Sequence, residues 1–184
     1  VSDLYMIMGD ILNKKGFEKE SFAAYDSCLQ WKDDNVPALN NYAYYMSLNG
    51  KELHKAEQMS YKTIKAEPKN GTYLDTYAWI LFMEERYHEA KIYIDQAIAN
   101  LDSTQNNNTV IEHAGDIYAM NGLTDKAVRF WKQSFDAGNK SDAVNMKIKE
   151  KRYISEQEVL KMTNAFNTRK TGLVRKNKKK NEKR

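Results

Sequence analysis

Residues 73–98 read YLDTYAWILFMEERYHEAKIYIDQAI, two helix-favouring segments joined by the polar turn Glu84-Glu85-Arg86. A small residue lies inside each segment, Ala78 in the first and Ala90 in the second. Small side chains let two antiparallel helices approach closely where they cross, and a larger side chain there costs about 1 to 3 kcal/mol by overpacking. This stretch therefore predicts a helical hairpin.

The same hairpin pattern recurs along the chain at a nearly constant step. The small residue of the first helix recurs at steps of 34, 35 and 37, as Gly9, Ala43, Ala78 and Gly115. The small residue of the second helix recurs at steps of 34 and 37, as Ala56, Ala90 and Ala127. One hairpin cannot bury its apolar face alone, so repetition at a fixed spacing indicates a stack of hairpins.

The composition agrees with an all-α class. The chain has 184 residues, of which 41% are hydrophobic and 29% charged, and only two prolines and eight glycines interrupt it. Such a composition favours long helices over strands and turns. We expect no transmembrane helix, because no run of about 18 apolar residues occurs.

Reactive and metal-binding residues are sparse. The single cysteine, Cys28, cannot form an internal disulfide, and its apolar neighbours predict a buried helix face. The histidines His54, His88 and His113 do not share a helical turn and do not form a zinc-binding motif. There is also no glycine-rich phosphate loop and no nucleophile motif. We therefore predict no metal, no cofactor and no enzymatic activity.

The spacing and residue types resemble the tetratricopeptide repeat (TPR) family. In the second repeat the matching residues are Leu39, Tyr42, Ala43, Met46, Ala56 and Pro68. In the third repeat they are Leu74, Tyr77, Ala78, Leu81, Ala90, Ile94 and Ala97. The first and fourth repeats match less closely but stay in register, so the resemblance covers roughly residues 2–140. It implies a right-handed superhelix of four hairpins plus C-terminal capping helices. The sequences of the second and third repeats also resemble those of long bacterial TPR proteins, several of which are exported.

The resemblance and the local signals together predict a domain plan. The repeat array is expected over residues 1–153, with repeats at about 2–35, 36–70, 71–104 and 108–140 and a cap helix at 141–151. Ser155 and Glu158 form a capping box, which predicts a short C-terminal helix at 154–167. Residues 168–184 contain nine basic residues and almost no apolar ones, so we expect a flexible basic tail.

The N-terminal helix carries more apolar residues than its own hairpin can bury, since Leu4 to Met8 are five in succession. This excess of apolar residues has two interpretations: further repeats precede Val1 in the parent protein, or this surface pairs with another chain. The location of the protein, bacterial envelope or cytoplasm, stays open.

In the TPR family the first helix of each hairpin lines a concave groove. The resemblance implies that the first helices of this chain line a similar groove. The predicted peptide-binding residues are Asp10, Asn40, Asn41, Tyr44, Asp75, Trp79, Glu112 and Asp116. The full predicted lining has five acidic residues and no basic one, which favours a cationic or amphipathic peptide as partner. TPR proteins that capture a carboxylate end use basic and amide side chains there, and only Asn41 fits, so that subclass is rejected. The alternative for Tyr44 and Trp79 is packing between repeats.

Charge divides the chain unevenly. Residues 1–150 have a net charge of −5 and residues 151–184 a net charge of +9. The basic residues of the tail give the alternative function, binding of an anionic surface or nucleic acid through Arg169, Lys170, Arg175, Lys176, Lys178, Lys179 and Lys180. The repeats carry no nucleic-acid recognition motif, which ranks this below protein binding. The tail is also a candidate for self-association, since its charge complements the acidic groove of the same or a neighbouring chain.

Overall fold

The structure, a computed structural model, describes residues 1–166 and is all-α there, which confirms the predicted fold class. The four hairpins are formed by consecutive helix pairs: α1 (Ser2–Lys14) with α2 (Glu18–Trp31), α3 (Val36–Leu48) with α4 (Leu53–Ala66), α5 (Gly71–Met83) with α6 (Tyr87–Ala99), and α7 (Asn108–Met120) with α8 (Thr124–Asp136). They are followed by α9 (Asp142–Glu150) and by α10 over residues 156–166.

Side-chain caps start several of these helices. The side chain of Asn35 accepts a hydrogen bond from the backbone N–H of Ala38, and Asn70 caps α5 in the same way. Ser141 caps α9 by accepting from the N–H of Val144. These caps satisfy backbone donors that have no partner within the helix, which sets where each helix begins.

Left-handed residues end the first helix of each hairpin. Gly16, Gly50 and Gly122 have φ of 81°, 63° and 74°. In the third hairpin, which lacks a glycine, Glu85 takes this conformation with φ 61°. Arg86 follows it and forms ion pairs with Glu84 before the turn and Glu89 after it, and with Glu57 of α4. A residue other than glycine therefore makes the same turn.

The small residues of the first helices lie where an aromatic ring of the second helix crosses. A Cβ added at Gly9 would lie 2.8 Å from a ring carbon of Tyr25, and one added at Gly115 would lie 2.3 Å from Nε1 of Trp131. Both rings are fully buried. The crossing therefore requires glycine in the first and fourth hairpins, as the spacing of small residues predicts.

The hairpins stack into a curved array. The first helices contact one another in sequence, α1 with α3, α3 with α5 and α5 with α7, and each second helix contacts the next first helix. Within residues 1–166 the second helices make no comparable contact with one another. Because the first helices lie closer together than the second helices, they form the inner wall of the curve.

The segment after α8 closes the C-terminal end. Helix α9 packs against α8 and fully buries Val144. The chain then turns so that the ring of Tyr153 lies edge-on to Phe82 of α5, with centroids 5.1 Å apart, and Ile154 is buried. The C-terminal segment therefore reaches back across α7 to the third hairpin.

The opposite end is not covered in this way. Leu4, Ile7, Met8 and Ile11 of α1 are 71%, 48%, 43% and 48% exposed. The register-equivalent residues of α5 and α7 are buried by the preceding hairpin, as Ala114 and Ile117 illustrate. Helix α1 thus presents the apolar strip that the consecutive apolar residues of the sequence predict.

Candidate functional site on the inner wall

The inner wall is built from equivalent positions that recur once per hairpin. One of these positions is occupied by Ile7, Asn41, Thr76, His113 and Lys147. Lys147 belongs to α9, and it follows His113 by 34 residues, so α9 continues the register of the first helices. At three of these positions, Asn41, His113 and Lys147, the side chain contacts an acidic residue of the preceding first helix.

In the fourth hairpin the acidic residues are neutralised within the chain. Nζ of Lys147 lies 2.8 Å from Oε1 of Glu112 and 2.8 Å from Oδ2 of Asp116. The other carboxylate oxygen of Asp116 accepts a hydrogen bond of 2.9 Å from Nε1 of Trp131. Burial disfavours the charged Lys147, but the carboxylates Asp116 and Glu112 outweigh it and raise the pKa of Lys147. The ammonium and its two carboxylates form a closed, buried ion cluster.

The acidic residue of the third hairpin, Asp75, is paired with His113 of the neighbouring helix α7. Nδ1 of His113 lies 3.0 Å from Oδ1 of Asp75, and both side chains are buried. The imidazole also stacks on the indole of Trp79 with centroids 4.0 Å apart, and Trp79 stacks in turn on Phe82. Burial alone would lower the pKa of His113, but the charge and hydrogen bond of Asp75 outweigh it and raise that pKa. Asp75 and Trp79 are thus held by internal contacts.

The first hairpin carries an acidic residue with neutral partners only. Oδ1 of Asp10 accepts a hydrogen bond from the hydroxyl of Tyr25, and Nδ2 of Asn41 lies 3.2 Å away. The hydroxyl of Tyr45 is 3.5 Å from the same oxygen. Within residues 1–166 no lysine or arginine pairs with Asp10. Asp10 is partly exposed on the inner wall.

Tyr44 and Asn40 lie between these two regions. The ring of Tyr44 is 6.2 Å from the imidazole of His113, and burial, Asp75 and Glu156 raise the pKa of its hydroxyl. Asn40 is 5% exposed, and its Nδ2 donates to Oδ1 of Asn41. The Oδ1 atom of Asn40 is buried and has no hydrogen-bond partner among the described residues. A buried polar atom without a partner is costly and uncommon, and Nε1 of Trp79 is a second one on this wall.

Seven of the eight predicted groove residues fall into two groups, and the eighth, Asn40, is buried beside Asn41. Asp75, Trp79 and Asp116 are at most 8% exposed, and with Glu112 they are engaged by His113 or Lys147. For Trp79 the structure favours the packing alternative. Asp10, Asn41 and Tyr44 remain partly exposed on the N-terminal half of the wall.

The lining predicted from the sequence omitted the cations. His113 and Lys147 both reach the acidic residues, so the statement that no basic residue lines the wall is incomplete. Lys147 follows His113 by 34 residues, one repeat length, so the repeat spacing in the sequence already indicates that Lys147 lies on the inner wall. Tyr153, which packs against Phe82, carries no repeat signal.

The seven tail residues proposed for polyanion binding, Arg169 to Lys180, lie outside the described residues. Within the described part of the chain, no group of three or more His, Cys, Asp or Glu residues is arranged to hold a metal ion. None of the helices in that part has the length and apolar content that a bilayer crossing requires.

No protein-family model and no curated protein matches the sequence. Solved structures do match the fold. PilF of Pseudomonas aeruginosa aligns with a TM-score of 0.70 at 17% identity, over 82% of this chain and 67% of that one. The chain has the tetratricopeptide fold. PilW, described as a type IV pilus biogenesis factor, aligns with a TM-score of 0.66 at 19% identity, over 75% of this chain and 62% of that one.

A third TPR structure, MamA, aligns with a TM-score of 0.60 at 19% identity, over 82% of this chain and 80% of that one. At these identities the matches establish the TPR fold of the chain.

Proposed function

We propose that this TPR array is a protein–protein interaction scaffold that holds a segment of another polypeptide against the N-terminal half of its inner wall. The proposal rests on one difference between the two halves of that wall, namely whether side chains of the same chain already occupy it. The C-terminal half is filled by Lys147, His113 and Tyr153 of the same chain, whereas Asp10, Asn41 and Tyr44 stay accessible.

The chemistry of this half defines the class of peptide. Asp10 offers a carboxylate, Asn41 an amide and Tyr44 an aromatic ring with a hydroxyl, and an anionic site with an aromatic neighbour favours a basic or amphipathic segment. On the C-terminal half of the wall the acidic residues Asp75, Glu112 and Asp116 are engaged in internal ion pairs. We therefore propose binding without catalysis.

A random-peptide library selected against the full chain tests the proposal. Selected peptides should carry lysine or arginine and should bind about tenfold or more weakly to Tyr44→Ala, because an aromatic contact is lost. Tyr61→Ala is the matched control, since Tyr61 is 46% exposed on the second helix α4. Peptides that bind Tyr44→Ala and Tyr61→Ala equally well would contradict binding at the inner wall.

We also propose that α1 is a second interaction surface, taken by α1 of a second copy. In α5 and α7 the equivalent strip is covered by a helix of the preceding hairpin, so its natural neighbour is another apolar helix. At the opposite end α9 packs on α8, so the last hairpin does not present an open strip equivalent to that of α1. Two copies related by a two-fold axis would bring Leu4, Met8 and Ile11 of both chains together.

Sedimentation over a range of concentrations tests the α1 surface. The wild type should shift from monomer to dimer as concentration rises, and Leu4→Lys with Ile7→Lys should remain monomeric. Ile92→Lys is the matched control, because Ile92 is 50% exposed on α6. A wild type that stays monomeric at the highest concentration would contradict this surface.

A further inference from the structure

The first and fourth hairpins contain the same polar arrangement built from different residues. Each has a Gly-Asp pair in its first helix, Gly9-Asp10 and Gly115-Asp116. In each, the aspartate accepts a hydrogen bond from an aromatic residue of the second helix of the same hairpin, Tyr25 or Trp131. The glycine is what allows this aromatic residue to approach the first helix.

The third partner of each aspartate is also equivalent. Asp10 is contacted by Asn41 and Asp116 by Lys147, and in both cases the partner lies 31 residues further along the chain. The two sites therefore share their arrangement of partners, although Asp116 is 1% exposed and Asp10 partly exposed, and Lys147 also pairs with Glu112. The third partner comes from a following helix in each case, an ammonium from α9 for Asp116 and a neutral amide from α3 for Asp10.

We infer that the Asp10 site binds a lysine or arginine side chain of the partner polypeptide, in the way that Asp116 binds Lys147. This rests on the proposed function and names the chemical group that the partner brings. The molecule itself shows that a carboxylate in this setting accepts an ammonium at 2.8 Å. A hydrogen bond between charged groups is stronger than one between neutral groups, so an incoming cation gains more from Asp10 than Asn41 does.

A second observation comes from the neighbouring helix position. Nδ2 of Asn40 donates to Asn41, while Oδ1 of Asn40 is buried without a donor. The amide network of Asn40 and Asn41 therefore keeps an acceptor in excess, and lysine and arginine are side chains that bring several N–H donors and no acceptor.

The substitution Asn41→Lys tests the geometry without any partner. It copies the arrangement of Lys147, so the new ammonium should pair with Asp10 and raise the midpoint of urea unfolding. The gain should disappear in the double variant Asp10→Asn with Asn41→Lys, and Asn41→Gln should give no gain. A gain of equal size with and without Asp10 would overturn the inference, because the lysine would then act elsewhere.

The same substitution tests the ligand. Basic peptides selected against the full chain should bind Asn41→Lys and Asp10→Asn about tenfold more weakly than the wild type. Tyr61→Lys adds the same charge on the second helix α4 and should bind them nearly as well as the wild type. Binding to the wild type should weaken as salt concentration rises, and this dependence should be smaller for Asp10→Asn.

The outcomes separate the two proposals. Peptides that lose binding to Tyr44→Ala but bind Asn41→Lys like the wild type would leave the scaffold function standing and overturn the Asp10 site. Peptides that are unaffected by Tyr44→Ala, together with the expected stability gain in Asn41→Lys, would overturn the proposed function and leave the cation-accepting geometry of Asp10 established.

Discussion

The two ends of the inner wall contain the same arrangement of an aspartate and its partners, but the aspartate is paired with a cation at one end and partly exposed at the other. In the fourth hairpin, Asp116 is 1% exposed and its charge is matched by Lys147. In the first hairpin, Asp10 is partly exposed and its neighbour in the same register is the neutral Asn41. The comparison teaches that in a repeat protein a single residue per repeat decides whether a polar site stabilises the fold or stays available.

The largest expected difference between the two ends is in the loss of folding stability when Lys147, the partner of Asp116, or Asn41, the partner of Asp10, is replaced. Lys147→Met should destabilise the protein by about 3 to 5 kcal/mol, because it leaves buried carboxylates without a cation. Asn41→Leu should cost only about 1 kcal/mol, because Asp10 still has Tyr25 and water. Urea unfolding measures both values.

Lys149→Met is the control for this comparison, since Lys149 is exposed on the same helix α9 and should change stability little. Equal costs for Lys147→Met and Asn41→Leu would show that the two sites do not differ in the way described.

A smaller difference is expected from the glycines. Gly115→Ala places a Cβ 2.3 Å from Nε1 of the fully buried Trp131, and Gly9→Ala places one 2.8 Å from the ring of Tyr25. Each should cost about 1 to 3 kcal/mol through overpacking, offset by about 1 kcal/mol of helix propensity. Gly115→Ala should therefore lower the thermal midpoint more than Gly9→Ala, and the reverse order would contradict the described crossing of the helices.

The smallest expected effect is on the pH dependence of stability, and it belongs to the C-terminal half of the wall. Burial opposes protonation of His113, but Asp75, Asp116 and Glu112 together raise its pKa above 6.5, while Tyr44 faces it from α3. A histidine whose pKa is raised in the folded state stabilises fully below the unfolded pKa of 6.5, and this contribution is lost as pH rises through the folded pKa.

The free energy of unfolding should therefore fall with rising pH above about 6.5, by at most about 1.4 kcal/mol per pH unit. In His113→Gln this slope should be reduced. Unfolding curves at several pH values check it, and His88→Gln is the control, because His88 lies outside the inner wall in the first turn of α6. An unchanged slope in His113→Gln would show that His113 is not protonated in the fold.

The fold could be predicted from the sequence because its decisive features are local and periodic. The step between Gly9, Ala43, Ala78 and Gly115 reflects the crossing of helices, and it identifies four hairpins without further information. The turn at Glu85 shows the limit of residue types, since the left-handed conformation there is made without glycine.

The candidate site could be predicted only in part. The repeat register indicates which positions lie on the inner wall, but it does not show which of them are already paired. Asp75 and Trp79 were expected to face a partner, and their pairing with His113 depends on contacts between residues 34 or more positions apart. Tyr153 reaches Phe82 through a non-repeating segment, so no periodic pattern predicts it.

Photo-crosslinking would test most directly that partners lie on the N-terminal half of the inner wall. A benzophenone amino acid is placed at position 44 or at position 61, and each variant is irradiated with the same selected basic peptide. The account predicts a covalent adduct at position 44, suppressed by the added substitution Asn41→Lys, and none at position 61. An adduct at position 61 alone, or equal adducts at both positions, would contradict it.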